Sequence, residues 1–256
     1  MSVYLYGVMD SADAIPADLC GVFDVPIRGI VVDDLCAVIA DLDADALAPA
    51  GDDGARMAAL ALGAVAHDRA IHALYQRGAI LPAPFATLFP DIDAIRALIR
   101  ERRAEWAAAL ARVRGRGEID VKIYVDRPAL IAALMATLPT AAGRGANYLL
   151  QKKAQRDAET DADHQITAVI NALHSDVVRL AAASVALPVR NAGDDPHAAL
   201  TGRMAYLIQP ERLDDVIAVY ARHESEWAWL SVAIAGVFAP YHFAAGWAHD
   251  PVGEGA

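Results

Sequence analysis

The sequence predicts an α+β protein of two domains, and three features carry that expectation. Apolar runs of strand character alternate with long stretches of helical periodicity. The order β-β-β-α-β-α-β closes at Val125, and a second series of helices and strands follows it. A length of 256 residues suits one large domain or two small ones. The expected division is an N-terminal α+β domain over 1–126, a C-terminal α+β domain over 127–250 and a tail over 251–256. Antiparallel sheets backed by helices on one face fit this mixture of hairpins and crossings.

Each element has its own signal. Val3 to Val8 is β-branched and aromatic, and the strand stops at Asp10-Ser11. Ile27–Val32 and Leu35–Ala40 are strands two residues apart, which is hairpin spacing around Asp33-Asp34. Residues 41–54 read as loop or frayed helix. From Ala55 to Gln76 apolar residues recur at helical spacing until Gly78. Ile80 to Phe89 is extended, with Pro82 and Pro84 confining it to an edge or a bulge. Asp91 is placed to cap the next helix, whose apolar face runs from Ile92 to Val113 and ends in Arg112, Arg114 and Arg116. Glu118 to Val125 alternates polar and apolar, the cleanest strand of the chain.

In the second half, Asp126-Arg127-Pro128 opens a short helix to about Leu138. Asn147 to Ala183 holds neither glycine nor proline, which predicts a long amphipathic helix with a break near Thr160-Asp161. Strands are expected at Val185–Val189 and Met204–Ile208, and a helix from Pro210 past Tyr220. The charge-free run from Trp227 to Ala248 is long enough for a membrane span. Ser231, Gly236, Pro240, His242 and Gly246 interrupt it, so a helix end through Leu230, a buried strand at Val232–Phe238 and a proline turn are expected instead.

Composition narrows function by exclusion. With 33 acidic against 22 basic side chains the net charge is -11, unsuited to binding a phosphate backbone. Hydrophobic residues make up 56%, enough for real cores. Cys20 and Cys36 cannot build a disulfide framework or a four-ligand zinc site. Met1 to Tyr4 lacks a basic stretch and Asp10 interrupts any apolar leader, so a cytoplasmic location is expected. No phosphate-binding loop, dinucleotide fingerprint, zinc-protease helix or nucleophile elbow is present. Gly143-Arg144-Gly145 is a bare fragment of the glycine pattern. His67 and His72 lie five apart and do not share a helix face as metal ligands would. No cofactor or metal is expected, and the chemistry points to binding or assembly.

Five blocks in order resemble one family. Val3-Tyr4-Leu5-Tyr6-Gly7-Val8 looks like the opening strand of gas vesicle proteins of the F/L type. Ile80-Leu81-Pro82-Ala83-Pro84-Phe85-Ala86-Thr87-Leu88-Phe89 is similar to the family's "LP-x-x-F-G-T-x-F", with Ala86 where glycine is usual. Glu118 to Lys122, Gly143 to Lys153 and Gly236 to Phe243 resemble its "G-x-x-E-x-x-V-K", "G-x-x-Y-L-x-x-K" and "G-P-W-P-P-Y-S-F" blocks. In the last, Phe238-Ala239 replaces Trp-Pro.

The resemblance implies a C-terminal ferredoxin-like unit carrying a long helix (147–183). It also implies a non-enzymatic, cytoplasmic assembly protein, a minor gas vesicle component. Such a protein binds the small, very hydrophobic main shell protein, and possibly other gas vesicle accessory proteins, and prevents premature aggregation. Covering exposed apolar surface requires an apolar edge or groove. The expected contact is Leu81, Pro82, Phe85, Leu88 and Phe89 with Phe238, Tyr241 and Phe243. Arg96, Arg100 and Arg103 form an expected docking patch for an acidic surface. Against this stands a tandem ferredoxin-like haem-binding or monooxygenase-type enzyme, for which His72, His174 and His242 would be the first ligands to test.

Overall fold

A computed structural model describes residues 2–42, 44–47, 52–137, 147–189 and 199–244. The glycine fragment at 143–145 and the tail at 251–256 lie outside the described residues. The chain packs as two units, Met1–Glu118 with Val237–Ala256, and Ile119–Gly236. These differ from the linear split at 126 because the aromatic block after Gly236 packs with the first unit.

The first unit carries strands β1 (Ser2–Met9), β2 (Arg28–Val32), β3 (Leu35–Leu42), β4 (Ile80–Pro82) and β5 (Leu88–Phe89), with helices α1 (Asp53–Tyr75) and α2 (Ile92–Val113). The sheet order is β2-β3-β1-β4, and β5 pairs with the other end of β1. β1 is antiparallel to β3, β4 and β5. The β2–β3 hairpin turns at Asp33, whose φ of 54° is one that aspartate tolerates without glycine. Successive residues of β1 and β3 are buried, so both faces of these strands are covered, not one. Tyr4, Tyr6, Val38 and Ala40 pack with Ala70, Ile71 and Leu74 of α1. Helix α2 packs across β1 to β5 and buries Ile95, Ile99 and Trp106. Asp52 caps α1 through the Ala55 N–H, and Asp91 caps α2 through the Ala94 N–H.

The second unit continues along β6 (Gly117–Val125), α3 (Arg127–Ala136), α4 (Asn147–Val177), β7 (Ala181–Ala186), β8 (Ala199–Ile208), α5 (Leu213–Glu226) and β9 (Leu230–Phe238). Its sheet order is β7-β8-β6-β9. A β-α-β-β-α-β series with its first and third strands central is the ferredoxin-like arrangement. The expected break at Thr160-Asp161 does not occur. Thr160 Oγ1 bonds back to the Arg156 carbonyl, and Ala158, Ala162, Ile166, Val169, Leu173 and Val177 keep one buried stripe through the site. The helix stops at Val177 rather than Ala183 because Ala181–Ala186 pairs with β8, cross-strand bonding overriding alanine's helix preference. Likewise α5 ends at Glu226, and Leu230 already belongs to β9. Among the described residues no helix is long and apolar enough to cross a membrane.

Candidate functional site

The two expected contact segments, far apart in sequence, come together on the first unit. The 3-10 turn Tyr241–Phe243 packs against β4. Ala239 lies in the core with Tyr4, Tyr6 and Ile80, and Phe85, Leu88 and Tyr241 pack against its margin.

The segment from Leu81 to Phe89 is shaped from beneath by β1. The period of two puts Tyr4 and Tyr6 on one face, toward α1, where His67 sits at the head of the stripe His67, Ala70, Ile71, Leu74. The Ala83 N–H donates to the Tyr6 carbonyl at 2.8 Å, and the Leu5 N–H donates to the Thr87 carbonyl at 3.0 Å. Between these anchors the chain turns, held by side chains. The Ala86 N–H donates to Tyr4 Oη at 3.0 Å, and Tyr4 Oη–H donates to His67 Nδ1 at 2.8 Å. His67 Nε2–H in turn donates to the Ala83 carbonyl at 3.1 Å. The loop is closed: one tyrosine and one histidine satisfy both ends of the turn.

Rings pack around this relay. Tyr6 stacks on His67 at 5.4 Å with 15° between planes, and Phe85 meets His67 edge-on at 5.9 Å. Tyr6 Oη accepts the Val22 N–H at 2.8 Å. His67 is 2% exposed, and burial pushes its pKa down to about 4, so it stays neutral. Burial raises the Tyr4 and Tyr241 phenols well above their usual range, and Tyr6 to about 12. Ala86 takes φ 66°, a left-handed conformation that costs a non-glycine residue about 1 kcal/mol, which explains the glycine in the related pattern.

The C-terminal block is clasped by hydrogen bonds. Glu118 is 4% exposed and receives the His242 N–H at 2.8 Å and His242 Nδ1–H at 2.6 Å. Arg112 Nη2 donates to the Phe243 carbonyl at 3.0 Å, and Tyr241 Oη donates to Asp68 at 3.3 Å. Gly117 is fixed by space, since a Cβ there would overlap Val237 and the Tyr75 hydroxyl.

The expected contact residues divide by burial. Leu81 and Phe243 are core, and Pro82 is buried too. Phe85, Leu88, Phe89 and Tyr241 are half-buried, and Phe238 is 43% exposed. In the docking patch Arg96, Arg100 and Arg103 are all exposed, but Arg96 bonds Asp93 at 3.0 Å and Arg103 bonds Asp34 at 2.6 Å. Local acids therefore neutralise much of the expected positive field. His72 is exposed beside Tyr75, His174 Nδ1 meets the Tyr206 hydroxyl at 3.1 Å, and His242 holds Glu118. Burial pushes the Cys36 thiol up to about 11, an inert setting. Among the described residues no three His, Cys, Asp or Glu side chains are grouped to hold a metal ion.

Sequence reasoning did not find the Tyr4–His67 relay or the Glu118–His242 clasp. The relay had a signal, because His67 falls on the apolar stripe of α1. The clasp had none, its partners lying 124 residues apart.

Comparison with known proteins agrees with this architecture. The family model described as gas vesicle synthesis protein GvpL/GvpF matches residues 2–245. Gas vesicle protein F of Streptomyces sp. (strain CB03234) is 25% identical over 253 residues, covering 95% of this chain and 99% of that protein. Gas vesicle protein L of the same organism is 29% identical over 267 residues, covering 98% and 95%. The crystal structure of GvpF from Anabaena sp. PCC7120 superposes with a TM-score of 0.70 at 15% identity, over 95% of this chain and 98% of that one. GvpF from Microcystis aeruginosa gives 0.67 at 16% identity with the same coverage. The family match spans both units almost from end to end, and this chain belongs to the GvpL/GvpF family of gas vesicle synthesis proteins.

Proposed function

We propose that this chain is a cytoplasmic, non-catalytic gas vesicle assembly protein. It binds the small hydrophobic main shell protein, holds it back from premature aggregation and works beside other gas vesicle accessory proteins. The observation carrying this reading is the family match, which runs through both units from residue 2 to 245. Convergence of the Leu81–Phe89 and Phe238–Phe243 segments on one unit supports a single contact region. Within it Leu88, Phe89, Tyr241 and Phe238 are the residues with side chains left to offer. Leu81, Pro82 and Phe243 shape the region from behind, and Phe85, half-buried, is turned edge-on against His67. Part-exposed apolar side chains beside hydrogen-bonded turns suit a partner that presents apolar surface before it polymerises.

Co-expression with the main shell protein, followed by pull-down and size exclusion, tests this. The expected result is a soluble complex that Phe238→Asp or Phe89→Asp weakens while circular dichroism stays unchanged. Shell protein that aggregates equally with and without this chain overturns the reading. A complex indifferent to both substitutions overturns the placement of the contact.

A further inference from the structure

Helix α1 is apolar on more sides than the fold uses. Its buried face holds Gly63, His67, Ala70, Ile71 and Leu74. Away from that face Met57 is 66% exposed, Leu62 72% and Val65 57%, with Ala58 and Ala61 exposed between them. A helix apolar all round is ordinarily enclosed, and contiguous exposed apolar surface marks an interaction site.

The ends of this strip specify the occupant. Every fourth residue reads Asp53, Met57, Ala61, Val65, Arg69, and all five are exposed. The series is acid, apolar, small, apolar, base. Turned antiparallel about Ala61, it complements itself: Met57 meets Val65 of the second copy, Ala61 meets Ala61, and Asp53 meets Arg69. Parallel pairing would instead set acid on acid and base on base. Residues four apart form the ridge that interdigitates in the commonest helix crossing, and alanine at the crossing point lets the backbones approach. Asp53 is reachable, its side chain 98% exposed although it bonds Arg56 at 3.0 Å. A two-fold contact of this kind uses the same patch on both copies, and this one carries no net charge on a chain of net charge -11.

We propose that two copies of this chain pair through an antiparallel α1–α1 contact centred on Ala61. The strip is short, so the dimer is weak and concentration-dependent.

Sedimentation velocity on the full chain from about 5 to about 300 μM measures it. The expected result is a monomer–dimer equilibrium whose dissociation constant rises at least about tenfold in Leu62→Glu. Leu62 is so exposed that the variant folds, which circular dichroism checks. Arg69→Glu weakens the dimer about three- to tenfold, and adding Asp53→Lys restores it. In a Cys20→Ser background, Ala61→Cys cross-links to itself under mild oxidation. A monomer throughout the range overturns the proposal. So does a dimer indifferent to Leu62→Glu, or a monomeric chain whose strip takes up only an apolar helix of another protein.

Discussion

At the scale of single residues, His67 couples the fold to pH. Its imidazole donates one hydrogen bond to the Ala83 carbonyl and accepts one from Tyr4, so a second ring proton would leave the Tyr4 hydroxyl proton without its acceptor and break the relay. The folded pKa of about 4 lies below the ordinary 6.5, so on acidification the unfolded chain binds a proton that the folded chain refuses. The stability His67 confers is therefore complete above about pH 6.5 and is lost as pH falls toward 4. The expected loss between pH 7.5 and 5 is about 2 kcal/mol by urea denaturation. His67→Gln should start less stable and show a shallower decline across the same range. The carboxylates of Asp34 and Asp176 do not confuse the measurement. The Arg103 hydrogen bond holds Asp34 below the ordinary carboxylate range, and the His223 hydrogen bond does the same for Asp176, so their contributions fade only under more acidic conditions. An equal decline in wild type and variant would show that His67 does not set the slope.

At the scale of elements, what was legible in the sequence tracks how local the cause is. The caps at Asp91 and Asp126 and the alternation of β6 act over three or four residues or one strand, and such signals could be read directly. Residues 181–183 could not, because alanine is silent about strand until β8 supplies the ladder. The return of the segment after Gly236 was equally hidden, since a buried carboxylate reads like any strand glutamate until its partner is known. That partner is His242, and the pair makes a prediction. Glu118→Gln keeps the shape and removes the charge, and should destabilise the first unit by about 2 kcal/mol. His242→Ala should cost a similar amount. The double variant should cost about 1–2 kcal/mol less than the sum, as groups sharing one interaction do. Strict additivity in chemical denaturation would mean that the clasp contributes nothing as a pair.

At the scale of the whole molecule, the two units are unequal in how the chain supplies them. The second is drawn from one continuous stretch, Ile119–Gly236, and the first needs residues from both ends. The first unit therefore folds around a segment that is synthesised after the whole of the second. Ala239 is 3% exposed and Phe243 6%, so without this block the core around Tyr4, Tyr6 and Ile80 loses two apolar groups. Glu118 loses at the same time both hydrogen bonds from His242, and a buried acceptor left unsatisfied is among the costliest defects a small core can carry. A fragment of residues 1–118 should accordingly be expanded, with weak near-ultraviolet dichroism and dye-accessible apolar surface. Adding a peptide of residues 235–246 in trans should restore tertiary dichroism, because the bonds it makes are already specified by Glu118, Arg112 and Asp68. The fragment 117–238, which keeps all four strands of its sheet, should fold alone and unfold cooperatively. A native-like 1–118 fragment that ignores the peptide would mean that the C-terminal block decorates the first unit rather than completing it.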